Sequence, residues 1–305
     1  MDPLQSFRSE TSVCICESDV ENRSGMIPIF IFITLDNNVF KRLPFASVIL
    51  KESRMLIVRQ VALVAKNLNA AEKFFSHCLG LKVCYRDPEL AALGLKNILF
   101  PMGSQFLEVV SPMRLNTGAG RFLDKAGDGG YMVILQCNDH HAYKQRVEKS
   151  RIRIAHEFSI KDFINMQLHP KDTGGSFLEI DQQLGFRGGE PDGPWAPSGG
   201  FESRKKKSKL SIKFIRILSR YPRITAEKWA YILGRELVER SQSFEISTDN
   251  SLLTFPKIDY QDQDKLIAIG LSVGDSHEVI NCAKELGVSC SENGFFAFGV
   301  DWILC

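Results

Sequence analysis

Residues 168–181 read LHPKDTGGSFLEID: a histidine and a proline, a polar turn with two glycines, then an apolar run carrying the carboxylate Glu179. A second run, FLEVV at 106–110, carries Glu108 in the same setting, alternating with Leu107 and Val109. Enclosed together in an apolar cavity, two such carboxylates lose hydration and repel each other, which leaves one protonated and one ionised near neutral pH. That is the arrangement for moving a proton next to a carbonyl. Each also has a plain reading, as a rim carboxylate in water or one bonded to local backbone. Gly174 and Gly175 allow a tight hairpin reversal. With the turn centred near Thr173, His169 falls across from Phe177 and Gln167 directly opposite Glu179, on Glu179's face.

Other polar groups read more simply. Asp139 is an N-cap, Lys66 and Asn67 form a strand-to-helix turn, and His140-His141 begin a helix as a solvent-facing pair. Arg114, Arg121 and Tyr131 lie in or beside SPMRLNTGAGRFLDKAGDGG, a glycine-rich connector that can also cover a cavity mouth and bring an arginine to a substrate carboxylate or phosphate.

The elements that must position these residues recur. Met55 opens a strand, MLIVRQVALVA; LNAAEKFFSHCLG is a helix ended by Gly80; LKVCYRD, LKNILFPM and SQFLEVVSP follow as three strands. The unit repeats as GYMVILQC, the helix DHHAYKQRVEKS, then RIAHEFS, FINMQLHP and SFLEIDQQ. It returns more faintly as LSIKFIRILS with a helix from an N-cap Thr225 to Gly234, and again from LIAIGLSVGD through SHEVINCAKELG to the C-terminus. The expected fold class is α+β, built of tandem βαβββ modules: one open curved sheet leaves its concave face uncovered, and a second copy closes it around a cavity. The expected organisation is a poorly structured extension over 1–54, as from an upstream start codon, a first module pair over 55–184, a Gly/Pro-rich basic linker over 185–209 ending in RKKKSK, and a second, degenerate pair over 210–305.

Composition narrows the partners. With 38 basic and 36 acidic residues the net charge is +2, which does not point to nucleic acid, a membrane surface or a polyanion; a small molecule fits better. The apolar stretch MIPIFIFITL at 26–35 falls short of the roughly 18 to 20 residues of a membrane span. Asp2, Glu10, Glu17, Asp19 and Glu21 ahead of it are wrong for a secretory signal. The eight cysteines show no CxxC pair and read as reduced thiols of a cytoplasmic protein.

VRQVALVAKNLNAAEKFF with LGLKV, FLEVVSP, and LHPKDTGGSFLEID together resemble the vicinal oxygen chelate superfamily, the group of glyoxalase I, methylmalonyl-CoA epimerase, extradiol dioxygenases and fosfomycin resistance proteins. The match runs over 56–183 and, more weakly, 210–304. The resemblance implies a divalent metal (Mg, Mn, Fe, Ni or Zn) held by one ligand on the first and one on the last strand of each module, polarising a carbonyl or enediolate. Its slots fall on Gln60, Glu108, Met132 and Glu179. A thioether is a poor donor to those metals, so the implied metal site is Gln60, Glu108, His169 and Glu179, with Glu108 and Glu179 also standing as catalytic base and acid. The slots of the third and fourth modules fall near Phe214, Phe255, Ala268 and Asp301, implying an inert pair that supports the first or a homodimer. The implied function is a metal-assisted lyase or isomerase working next to a carbonyl, or a dioxygenase relative. The rival is a metal-free protein that sequesters a small molecule, as the superfamily's resistance proteins do.

Overall fold

The computed structural model describes residues 55–114, 116–174, 176–200, 208–258 and 264–305, with the backbone of two short strands, β1 (Val13–Cys16) and β2 (Phe30–Ile33). β1 and β2 pair antiparallel, Val13 opposite Ile33, in a unit of their own, Met1–Glu52. The expectation of a poorly structured 1–54 otherwise lies outside the described residues, as do Gly175 and most of the basic run. Residues Ser53–Cys305 form the second unit.

That unit repeats one pattern of strand, helix and returning strands. The first module is β3 (Leu56–Val64), α1 (Leu68–Cys78), β4 (Leu95–Met102) and β5 (Gln105–Pro112). Asn67 starts α1 by accepting the Ala70 N–H, which satisfies one of the donors a helix start leaves open. LKVCYRD is no strand here: it is reduced to one bridge, Tyr85 with Leu99, because Pro88 and a short 3-10 turn at Glu89–Leu93 lead the chain away. The glycine-rich connector contains a helix, α2 (Gly118–Ala126), capped by Thr117.

The second module is β6 (Gly129–Cys137), α3 (His140–Lys149), β7 (Ile154–Ile160), β8 (Phe163–Leu168), the single turn α4 (Pro170–Thr173) and β9 (Phe177–Gln183). Asp139 caps α3 as expected, accepting the Ala142 N–H. His140 is buried rather than solvent-facing, and burial lowers its pKa; His141 alone is exposed, beside Gln145 at 2.8 Å. The β8–β9 reversal is not a tight hairpin, because Pro170 starts a helical turn that Gly174 ends at φ +67°.

The third module is β10 (Ser211–Leu218), α5 (Pro222–Leu233), β11 (Leu237–Glu239), β12 (Ser243–Ser247) and β13 (Leu252–Pro256). The fourth is β14 (Lys265–Ser272), α6 (Ser276–Glu285), β15 (Ser289–Ser291), β16 (Gly294–Ala297) and β17 (Val300–Leu304). Pro222 begins α5 ahead of Thr225, so Thr225 lies inside the helix, its hydroxyl 2.7 Å from that of Ser219.

Modules pair through their first strands. β3 runs antiparallel to β6, and β10 to β14; within each module the last strand lies parallel to the first. The two module pairs join into one 15-stranded sheet where Leu266 of β14 pairs with Gly130 of β6, and a Cβ at Gly130 would come within 2.7 Å of the Leu266 carbonyl oxygen. On the helix side Val61, Leu107, Leu135 and Leu178 pack in one core with residues of α1, α3 and the second pair. Alternation along each strand sends their neighbours to the concave side.

All eight cysteines were expected to be reduced, and two are not. Cys78 on α1 and Cys282 on α6 form a disulfide with Cα atoms 5.4 Å apart, because the two helices lie side by side. It closes a separation of 204 residues. Replacing both with alanine is expected to lower unfolding free energy by about 2–4 kcal/mol in urea titration; unchanged stability, or two more free thiols in the denatured, unreduced protein, would contradict the bond. Among the described residues no helix is long and apolar enough to cross a membrane.

Candidate functional site

The concave face of the first pair holds a small apolar cluster, Leu99, Phe106, Ile134, Phe163 and Trp195, with Met132 and Tyr85 against it. Set among these are polar side chains, all buried: Gln60, Asn97, Glu108, Asn165, Glu179 and Asp181. Their positions follow from strand period. Glu108 is two residues from Phe106 on β5, Glu179 and Asp181 are two apart on β9, and Asn165 is two from Phe163 on β8.

Glu108 is held at both oxygens. Gln60 Nε2–H donates to Oε2 at 2.8 Å and Asn97 Nδ2–H to Oε1 at 2.6 Å. Burial pushes its pKa up, against those two donors and with help from the charge of Glu179, to about 7. Burial raises the pKa of both Glu179 and Asp181, and Asp181 rises well above its ordinary value, with the charge of neighbouring Glu179 adding to the effect of burial. Asp181 Oδ1 also accepts from Asn165 Nδ2–H at 3.0 Å.

A carboxyl whose folded pKa lies above its unfolded value binds more protons folded than unfolded between the two values. Stability is thus full below the ordinary carboxyl range and is lost as pH rises towards 7. For Glu108 the loss is roughly 3 kcal/mol at most. Thermal unfolding of the native chain should weaken from pH 5 to pH 8, and Glu108→Gln should show a flatter slope; parallel slopes would contradict a buried, protonatable Glu108.

The four residues named for a metal are not all brought together. Gln60 and Glu108 touch, and Glu179 faces the same cup with Gln167 opposite it, the expected register. His169 is placed otherwise: the β8–β9 ladder ends at Leu168 opposite Leu178, and His169 instead caps α4, its Nδ1 accepting the Lys171 N–H at 3.2 Å. The donors near Glu108 are also engaged. Gln60 Oε1 accepts the Trp195 indole N–H at 2.9 Å, and the Met132 sulfur accepts from Gln167 Nε2–H at 3.5 Å. Among the described residues no group of three or more His, Cys, Asp or Glu is arranged to hold a metal ion. The side chains present do not fit the divalent ion that the resemblance implies.

Asn97, Asn165, Asp181, Arg59 and Trp195 were not expected in the site. Asp181 is legible as the second acid of FLEID, and Arg59 as the one cation inside LIVRQVALV. Trp195 is a large apolar side chain in a Gly/Pro stretch whose composition reads as a linker, yet it is fully buried.

No family model matches the chain. Its sequence is 28% identical over 131 residues to the mitochondrial methylmalonyl-CoA epimerase of Homo sapiens, covering 41% of this chain and 73% of that protein. Its fold is similar to that of a mutant 4-hydroxymandelate synthase from Streptomyces coelicolor, with a TM-score of 0.57 at 13% identity over 77% of this chain and 76% of that one. These matches are consistent with a glyoxalase-like protein of the vicinal oxygen chelate superfamily. A hypothetical protein from Staphylococcus aureus has a similar fold over 82% of this chain and 99% of its own, with a TM-score of 0.55 and 13% identity. Of the four slots that the resemblance implies, Gln60, Glu108 and Glu179 are buried beside the cup, and Met132, against its apolar cluster, takes the remaining one.

Proposed function

We propose that the first module pair is an isomerase site that takes a proton from, and returns it to, the carbon next to a carbonyl. The observation that carries this is the unequal proton demand of the two carboxyl centres in one cup. Glu108, with both oxygens on amide N–H groups, titrates near neutrality, while Glu179 lies beside Asp181, whose carboxyl is pushed towards the neutral form by burial and by the neighbouring charge. Environments that separate acid from base in this way suit proton transfer, one group removing the proton as the other supplies one to the opposite side. The Asn97 and Gln60 amides fix the Glu108 carboxylate. The apolar wall of Leu99, Phe106 and Ile134 keeps water from the carbanion-like species.

The substrate class follows from the sequence relative: an acyl thioester with a substituent and a carboxylate on C2, of which methylmalonyl-CoA is the compound to try. The second pair, 210–305, supports this site. The test is epimerisation: one C2 epimer of methylmalonyl-CoA, incubated with the protein and followed by circular dichroism, should lose its signal as the mixture forms. A second reading, binding without turnover, is favoured by Trp195 in the cup; tight binding with an unchanged signal would support it and sink the first.

A further inference from the structure

A fully buried arginine precedes Gln60 in the strand. Register slips between Val58 and Gln60 where β3 meets β6, so Arg59 bulges towards the concave side beside Gln60. Its guanidinium carbon lies 5.6 Å from the Phe106 ring centre and 5.5 Å from that of Trp195. It donates to the backbone carbonyl oxygens of Pro191 and Gly193, the latter at 2.7 Å. Two glutamines grip the same segment: Gln136 Nε2–H donates to the Gly188 oxygen at 2.8 Å, and Gln183 Oε1 accepts the Ala196 N–H at 2.9 Å. The segment folds tightly enough to reach them because Gly193 passes Arg187 so closely that a Cβ would lie 1.9 Å from its carbonyl oxygen.

The geometry points to residues 188–200 as a strap that stands in for the substrate, and to Arg59 as the group that takes the substrate's carboxylate once the strap is displaced. The inference rests on the proton-transfer reading for its substrate class, the malonyl-type thioester. The strap resembles such a ligand group by group. It puts carbonyl oxygens on the guanidinium, a flat apolar body against Phe163 at 5.4 Å between ring centres, and a donor on the Gln60 amide oxygen. A carboxylate improves on the first of these contacts. A charged, two-pronged pair with a guanidinium is stronger than bonds to neutral carbonyls, and the ring faces on either side shield it from water. With the strap seated, Glu108 and Glu179 are covered, at 8% and 9% exposure, so the resting protein is closed.

The probes are methylmalonyl-CoA and propionyl-CoA, which differ by the carboxylate alone, added to the full chain in its native form and as Glu108→Gln. Affinity is read by calorimetry, and strap opening by hydrogen exchange at the amides of Gly193, Ser198 and Gly200, each bonded within the strap. Methylmalonyl-CoA is expected to bind at least about tenfold more tightly than propionyl-CoA and to expose those amides. Arg59→Gln should erase the preference. Trp195→Phe keeps the ring but removes the donor to Gln60, so it should tighten both ligands while leaving the preference intact, and it serves if Arg59→Gln does not fold. Equal affinities in the native chain, binding with the strap amides still protected, or no binding to either the native chain or Trp195→Phe would overturn the inference. Strap opening without epimerisation would sink the catalytic reading alone; epimerisation with the strap amides protected would sink this one alone.

Discussion

Glu108→Gln is expected to slow proton exchange at C2 of the substrate by about 10²–10⁴-fold, the usual worth of a positioned general base. The amide has nearly the same shape but no basic oxygen, and its NH₂ meets an N–H group of Gln60 or Asn97, both of which donate to the native carboxylate. Glu179→Gln should cost a similar factor, because it removes the opposite proton carrier. The double variant should be little worse than either single one, since two groups acting as a unit are not additive. Asp181→Asn should act differently. It keeps a hydrogen-bond donor beside Glu179 but removes its ionisable neighbour, so the pH profile should shift more than the maximum rate. Rates for Glu108→Gln within a factor of two of the native chain would show that the carboxylate is structural.

The second large effect concerns the second module pair. Trp229 on α5 is fully buried, edge-on to Phe255 at 5.5 Å, and its indole N–H donates 3.0 Å to the backbone oxygen of Thr173 at the β8–β9 reversal. The second pair thereby holds the turn that sets the register of Glu179. Trp229→Ala should cost about 3–5 kcal/mol of stability. Trp229→Phe, which keeps most of the packing and strands the Thr173 oxygen, should cost about 1–3 kcal/mol. Trp195 reports on the first pair and Trp302 on the second, so urea unfolding of Trp229→Phe chains that keep one or the other tryptophan can distinguish them by fluorescence. One transition that moves both is expected. Loss of the Trp302 signal with Trp195 unchanged would mean that the second pair unfolds as a separate body.

Much of the fold is written in alternation and punctuation. The fourfold return of strand, helix and strands is legible because the helix side of each strand is apolar and each helix is bounded by residues such as Asn67, Asp139 and Gly234. What failed is local. Pro170 and Pro222 each start a helix earlier than the neighbouring glycines or threonine suggest, which turned an expected hairpin into α4 and removed Thr225 as a cap. The pairing of α1 with α6, and with it the Cys78–Cys282 bond, is a contact between the first and last modules that no local pattern announces.

Of the candidate site, Glu108 was legible from its alternation with Leu107 and Val109, Gln60 and the slot of Glu179 came from the resemblance, and the Gln167 register followed from the turn. His169 was misplaced because Pro170 made its ring more useful as a helix cap than as a continuation of β8. Asp181, Asn97 and Asn165 were passed over as ordinary polar strand residues, although their spacing from Glu179, Leu99 and Phe163 is the same two-residue step. Trp195 was hidden by its surroundings: glycine and proline mark both flexible connectors and tightly folded straps, and only the partner glutamines tell them apart.

The central claim, that buried carboxyl groups move a proton at the carbon next to a carbonyl, is tested most directly by deuterium wash-in. Methylmalonyl-CoA in D₂O containing EDTA, with native protein, Glu108→Gln and Glu179→Gln in parallel, is followed by the NMR signal of the C2 proton. The expected result is rapid loss of that signal with the native chain and a rate at least about a hundredfold lower with either variant. A C2 proton that persists with the native chain, or exchanges equally fast with all three, would contradict it.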